Sequence, residues 1–227
     1  MTPACVLFDL DGTLVDTAPD LGFALNQVRM ERGLEPLPAV AIRPWASTGT
    51  RGLLQLGFGI GPSEAGYPEV RDRFLSIYRA NVARESRAFP GVPQLLAQLA
   101  ARGIKWGVVT NKGREFTNRL MSALDWPAPP AAIACADEVA RGKPDPASLL
   151  LACERIGLPP AACLYVGDAA RDVEAARRAG MPVIGVTYGY TEIDSPPESW
   201  GADQLVHSPL EILSAVPQQR PRGAQHG

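Results

Sequence analysis

Cys5-Val6-Leu7-Phe8-Asp9-Leu10-Asp11-Gly12-Thr13-Leu14 opens with four apolar residues and breaks into a carboxylate, a second carboxylate two positions on, and a glycine turn. A short apolar run without polar alternation is what a strand buried on both faces requires. The same pattern recurs at Trp106-Gly107-Val108-Val109, Ala132-Ile133-Ala134-Cys135, Cys163-Leu164-Tyr165-Val166 and Val183-Ile184-Gly185-Val186, and more weakly at Gln204-Leu205-Val206. Between these runs, 92–102, 147–156 and 169–179 carry helical periodicity, the last closed by Gly180 and Pro182. Buried strands alternating with helices predict an α/β protein built on a doubly wound parallel sheet.

One region breaks the alternation. Residues 16–84 contain amphipathic patterns at 21–32 and 70–82 and a Gly/Pro-rich turn at 57–68, but no convincing strand. The expectation is a core of 1–15 and 85–216 interrupted by a helical insert over 16–84, with hinges near Asp16 and Phe89-Pro90. The stretch 217–227 has no apolar periodicity and reads as a disordered tail.

Composition narrows the function classes. With 227 residues, 46% hydrophobic, and a formal net charge of −2, the chain can bury a sizeable core but offers no basic block for nucleic acid or an anionic membrane surface. Cys5, Cys135, Cys153 and Cys163 lie too far apart in sequence for a paired metal-binding spacing, so they read as reduced packing residues, and His207 as a surface residue. The first residues show no basic stretch before a long apolar run, and no apolar segment is long enough for a bilayer, which predicts a cytoplasmic protein. The natural partner is a small anionic molecule drawn in by local groups, with the chain acting as a monomer or homodimer.

In doubly wound sheets the reactive groups sit just past the carboxyl ends of the strands. There the sequence places Asp9 and Asp11, then Thr110-Asn111-Lys112, then Gly142-Lys143-Pro144, then Gly167-Asp168 with Asp172 one helical turn on. Singly, each is ordinary: Asp-Gly makes turns, Thr-Asn and Gly-Asp cap helices, Lys-Pro is a loop. Together, each following a strand, they match one chemistry. Phosphate-ester hydrolysis needs a positioned nucleophile and charge neutralisation. A strand-end carboxylate, Asp9, can attack phosphorus, while a second, Asp11, can protonate the leaving alcohol and then activate water. Lys143 and a hard divalent cation held by Asp9 and Asp168 would balance the charge. Thr110 and Asn111 can donate to the phosphoryl oxygens.

These four motifs, in this order, resemble those of the haloacid dehalogenase superfamily over nearly the whole chain outside the tail. The resemblance implies a Rossmann-like core with an inserted cap domain. It also implies Asp9 as nucleophile, Asp11 as general acid and base, and Mg²⁺ held by the Asp9 carboxylate, the Asp11 main-chain carbonyl and Asp168, with Asp172 as a supporting carboxylate. An acidic residue at Asp11 is similar to the phosphatase and phosphomutase branches and unlike the dehalogenases. In small-substrate members a glycine-containing cap loop sets specificity, and Ser47-Thr48-Gly49-Thr50-Arg51 is the best match here; as plain structure it is a helix N-cap before 52–56.

Within the family, Phe8 to Asp20, Val109-Thr110-Asn111-Lys112, Lys143-Pro144-Asp145-Pro146, Tyr165-Val166-Gly167-Asp168 and Tyr188-Gly189-Tyr190 look like phosphoglycolate phosphatases. The segment 200–206, with Pro209-Leu210-Glu211, is more similar to phosphatases of N-acetylmuramic acid 6-phosphate. Both substrates carry a carboxylate besides the phosphate, which Arg51 or Arg43 can meet. A sugar phosphomutase would use the same aspartyl-phosphate. A non-catalytic binding protein would be free to lose Asp9, Asp11 or Lys143, and all three are present.

Overall fold

The structure is a computed structural model, and it describes residues 2–191 and 194–216. The tail at 217–227 lies outside the described residues. Six strands form one parallel sheet: β1 (Cys5–Phe8), β4 (Lys105–Thr110), β5 (Ile133–Cys135), β6 (Cys163–Gly167), β7 (Val183–Val186) and β8 (Gln204–Val206), in spatial order β5-β4-β1-β6-β7-β8. β1 is central, pairing Phe8 with Val108 on one side and with Val166 on the other. Its side chains alternate between two cores: Val6 and Phe8 join one, Cys5 and Leu7 the other, all fully buried. This two-faced burial is why the run reads as continuously apolar. Each such aliphatic or aromatic side chain contributes about 1.5–3 kcal/mol when buried.

The helices fall largely where periodicity places them: α5 (Val92–Ala101), α7 (Ala147–Ile156) and α8 (Ala170–Ala179) flank the sheet. α6 (Arg114–Ala123), which follows β4, is an addition to the sequence reading. All four cysteines are free thiols and buried, as expected of packing residues, and the exposed His207 pairs its Nδ1 with the Thr187 hydroxyl at 2.7 Å. Among the described residues no helix is long and apolar enough to cross a membrane.

Between β2 (Val15–Asp16) and β3 (Arg87–Ala88) the chain forms helices only: α1 (Ala18–Glu31), α2 (Ala39–Ile42), a 3-10 turn over Arg43–Thr48, α3 (Gly49–Phe58) and α4 (Tyr67–Asn81). β2 and β3 pair antiparallel, Val15 with Ala88 and Asp16 with Arg87, so the helical layer leaves and rejoins the core at one two-residue ribbon. Asp20, buried near the start of α1, fastens the return by accepting from the backbone N–H of Glu85 and Ser86 and from the Ser86 hydroxyl (2.6 Å).

Two features differ from the sequence reading. α3 begins at Gly49 instead of 52, and the Thr48 hydroxyl donates backwards to the Trp45 carbonyl at 2.6 Å, so no side chain caps the helix. The Gly/Pro-rich turn is shorter than 57–68, because Pro68 stands in the first turn of α4, where its missing N–H costs no hydrogen bond.

Candidate active site

The carboxyl ends of β1, β4 and β6 meet at one point, and the polar residues there are unusually buried: Asp9 is 4% exposed, Lys143 4%, Asp168 1% and Asp172 0%. Asp9 continues the line of β1 by donating its N–H to the Val166 carbonyl at 2.9 Å. Its Oδ1 accepts from the Leu10 N–H at 2.7 Å and lies 2.9 Å from the Lys143 ammonium. Both contacts use the same oxygen, so neither ties up Oδ2.

Lys143 is locked. Its ammonium donates to Asp172 Oδ1 (2.7 Å), the Tyr165 hydroxyl (2.8 Å) and the Val109 carbonyl (3.0 Å), with Asp9 Oδ1 the fourth neighbour. Burial works against the ammonium, but the flanking Asp172 and Asp9 carboxylates outweigh it and push the Lys143 pKa upward. The lysine therefore stays charged and serves as a fixed counter-ion. Its backbone is clamped as well: the Asn111 carboxamide accepts from the Lys143 N–H at 2.8 Å and donates to the Lys143 carbonyl at 2.9 Å. In this structure the Asn111 side chain thus holds the lysine loop from a place on the cavity wall. Thr110, buried at the end of β4, accepts from the Lys112 N–H at 3.1 Å.

Asp168 is oriented from two loops, accepting from the Thr13 hydroxyl at 3.1 Å and the Tyr190 N–H at 2.9 Å. Those loops approach so closely that only glycine fits. A Cβ on Gly12, which also has φ +84°, would stand 2.0 Å from Asp168 Oδ2, and one on Gly189 would stand 2.2 Å from the Gly12 carbonyl oxygen. Tyr190 then ties this carboxylate to the ribbon below the helical layer. Its hydroxyl accepts from the N–H groups of Thr17 (2.6 Å) and Ala18 (2.8 Å) at the start of α1 and donates to Asp16 Oδ1 at 2.7 Å. Arg43 pairs with Asp16 at 2.8 Å and lies over the Tyr190 ring, which keeps it at the β2–β3 ribbon and off the cavity wall.

Asp9, Asp168 and Asp172 each place a carboxylate oxygen within 4.8 Å of the others. Burial pushes the Asp9 carboxyl up to about 6 despite Lys143, with Asp172 adding to the rise. Burial, then the neighbouring Asp9 and Asp172, drives Asp168 well above the ordinary carboxylate range. Three buried carboxylates sharing the single Lys143 ammonium through Asp9 and Asp172 are a donor set that suits a hard, oxygen-liganded cation. Asp172 already accepts from Lys143 through Oδ1 and from the Ala169 N–H through Oδ2, so it fits a supporting place behind Asp9 and Asp168.

Above this cluster lies a cavity of about 470 Å³ between the sheet end and the helical layer. Asp9, Asp11, Thr110, Asn111 and Arg51 all line it, which brings the catalytic and recognition candidates to one place, while Arg43 does not. Asp11 Oδ1 accepts from the Lys112 ammonium at 2.8 Å and from the Thr17 hydroxyl. Lys112 also lines the cavity, as does Arg171, which donates from α8 to the Ser47 hydroxyl (2.6 Å) and carbonyl (2.9 Å). The sequence assigned no role to either. Lys112 stands beside the Thr-Asn pair, but its pairing with Asp11, 101 positions away, leaves no local trace. Arg171 sits one residue before Asp172 at the start of α8, and that place near the strand end was the signal available.

A doubly wound core, a helical insertion after the first strand and paired aspartates at its end define a phosphotransfer-type hydrolase. The chain belongs to the haloacid dehalogenase-like hydrolases, whose sequence profile matches residues 6–186. It is 39% identical over 211 residues to the N-acetylmuramic acid 6-phosphate phosphatase of Pseudomonas aeruginosa, covering 93% of each chain. It is 40% identical over 213 residues to the phosphoglycolate phosphatase of Xanthomonas campestris, covering 92% of this chain and 95% of that one. The crystal structure of a predicted phosphoglycolate phosphatase from Haemophilus somnus superposes with a TM-score of 0.84 at 28% identity, covering 96% and 99% of the two chains. The protein is a phosphatase of this family.

Proposed function

We propose that this phosphatase hydrolyses a small, carboxylate-bearing phosphomonoester by way of a phosphoryl group carried on Asp9. The observation behind the reading is the pairing of a buried nucleophile, held against the fixed Lys143 ammonium, with a second carboxylate, Asp11, at the cavity two residues on. Asp9 attacks phosphorus as Asp11 gives a proton to the departing alcohol oxygen. Asp11 then takes a proton from water, which attacks the same phosphorus, releases phosphate and restores Asp9. Lys143 balances the negative charge throughout, and Thr110 and the backbone at Asn111 face the phosphoryl group. Mg²⁺ fits the site, held by Asp9, Asp168 and the Asp11 main-chain carbonyl with Asp172 in support, and would supply charge neutralisation at the phosphoryl oxygens.

Mg²⁺ binding to the folded site should show as stability. Saturating Mg²⁺ is expected to raise the melting temperature of the chelator-treated protein by several degrees, since ligand at about 100 Kd contributes about 2.7 kcal/mol. Scanning calorimetry with and without excess chelator measures this, and an unchanged melting temperature would remove the metal from the account.

Two substrates fit the class. 2-Phosphoglycolate is the smaller and follows from the motif pattern around the catalytic loops. The cavity favours the larger, N-acetylmuramic acid 6-phosphate. Its volume lies within the range that encloses drug-sized ligands, and its wall combines apolar Leu21, Leu75 and Phe116 with the cations Arg51, Lys112 and Arg171. Both compounds, assayed beside 4-nitrophenyl phosphate with Mg²⁺, decide the point. A preference for carboxylate-free phosphoesters would overturn the reading.

Arg51, exposed on the first turn of α3 at the cavity rim, is the proposed contact for the carboxylate. Arg51→Ala is expected to lower kcat/KM roughly ten- to a thousandfold for the preferred carboxylate-bearing ester, the range for losing a charge-assisted contact. The fall for 4-nitrophenyl phosphate should be much smaller. Equal falls would place Arg51 at the phosphate or in the folding of the helical layer.

A further inference from the structure

α4 contributes one residue to the cavity wall whose polar atom has no use inside the protein. Tyr78 is 2% exposed, and its hydroxyl is buried without a hydrogen-bond partner among the described residues. Native proteins seldom leave such a group unmatched, because an unsatisfied buried hydroxyl costs on the order of 1–3 kcal/mol. Packing does not ask for the oxygen: the ring lies against Phe74 and Phe116, with centroids 6.3 and 5.2 Å away, and phenylalanine would make both contacts.

The surroundings indicate what the hydroxyl is kept for. The Lys112 ammonium, which pairs with Asp11, stands 5.1 Å from the centre of the Tyr78 ring and acts electrostatically on the phenol. Burial pushes the phenol pKa upward, so it remains a neutral donor at physiological pH. An O–H donor beside an ammonium presents two positively polarised groups to the same space, a few residues from the second catalytic carboxylate. The complementary ligand group is an anionic oxygen acceptor.

We infer that the Tyr78 hydroxyl is a specificity-determining contact, donating a hydrogen bond to the carboxylate of the leaving alcohol when substrate fills the cavity. The inference rests on the reading of the substrate as a carboxylate-bearing phosphoester. It gives α4 a part in recognition distinct from that of Arg51 on α3: Arg51 supplies charge at the cavity rim, Tyr78 a directional donor at its buried wall. A small side-chain adjustment on binding, common at such sites, is enough to bring the oxygen onto the ligand.

Tyr78→Phe tests this, because it removes one oxygen and keeps the ring. Steady-state kinetics would be measured for wild type and variant with 2-phosphoglycolate, N-acetylmuramic acid 6-phosphate and 4-nitrophenyl phosphate, together with melting temperatures. The expected result is a roughly ten- to hundredfold fall in kcat/KM for the preferred carboxylate substrate relative to 4-nitrophenyl phosphate, the range for a hydrogen bond to a charged group. The melting temperature should stay level or rise, since an unmatched buried hydroxyl is gone. An unchanged ratio, an equal fall for all substrates, or a lower melting temperature would each overturn the inference, the last by showing that the hydroxyl has a structural partner. A wild-type protein active only on 4-nitrophenyl phosphate would overturn the carboxylate reading itself, and this inference with it.

Discussion

Asp9→Asn is expected to lower turnover at least a hundredfold while leaving the fold intact. The amide is isosteric, can still accept from the Leu10 N–H through its oxygen, and remains beside Lys143. It is not nucleophilic toward phosphorus and brings no negative charge to a cation, so a covalent route through this position ends. The effect on stability separates catalytic loss from damage. Burial raises the Asp9 carboxyl from 3.8 to about 6, with Lys143 opposing the rise and Asp172 adding to it. A carboxyl raised in the folded state favours folding while protonated at low pH, and that contribution is lost as pH climbs through about 6. At pH 7.5 without metal, the ionised Asp9 therefore weighs against the folded state and asparagine does not. The variant should melt at or above the wild-type temperature under those conditions, and its advantage should shrink as pH falls through about 6 and be gone below about 4. Residual activity above about a hundredth of wild type would exclude Asp9 as the covalent carrier.

The sheet was legible because its strands are buried on both faces, so Val6, Phe8, Cys5 and Leu7 left no polar gap in the sequence. The candidate site was legible as a place for a related reason: a parallel sheet puts the residues after each strand at one edge, and Asp9, Thr110 and Asp168 follow β1, β4 and β6 in that way or close them. Two kinds of feature were not. Elements as short as β2 and β3 have two residues each, too few for any periodicity. Contacts between distant segments also leave no local pattern: the Lys112–Asp11 pair, the Tyr190–Asp16 hydrogen bond across 174 positions, and the two bonds from Asn111 to the Lys143 backbone depend on how helices and loops are set against the sheet. Asn111 was read for its donor group. The structure shows that group also bonding the Lys143 backbone, a contact the sequence reading did not include.

Tyr190 shows why these long contacts matter for function. Its backbone N–H fixes Asp168, and its hydroxyl gathers the first N–H groups of α1 and the carboxylate of Asp16, where the helical layer begins. A shift of that layer therefore bears on the same residue that orients a proposed metal ligand. The Arg171 bonds to Ser47 make a second link between the core and the helical layer. On the proposed mechanism these contacts would join closure of the layer to assembly of the site, so that bulk water is excluded while the single water activated by Asp11 reaches the phosphorus.

Asp11→Asn should produce a different failure from Asp9→Asn. Asp11 keeps partial access to the cavity, with its side chain 16% exposed, and its Oδ1 is positioned by Lys112 and the Thr17 hydroxyl. Asparagine preserves those two acceptor contacts but can neither deliver a proton to the departing oxygen nor take one from water. For an alkyl phosphoester the expected loss in turnover is about a hundred- to ten-thousandfold, the usual worth of general acid–base catalysis. Nitrophenolate leaves without a proton, so 4-nitrophenyl phosphate should escape the first deficit and meet only the second. Rapid-mixing measurements should then show a burst of nitrophenol approaching one equivalent per enzyme, followed by slow steady-state release as phospho-Asp9 waits for water. Equal losses for the two substrates with no burst would mean that Asp11 serves phosphoryl transfer itself, by holding the nucleophile or the metal, and the proton would have to come from another group at the cavity.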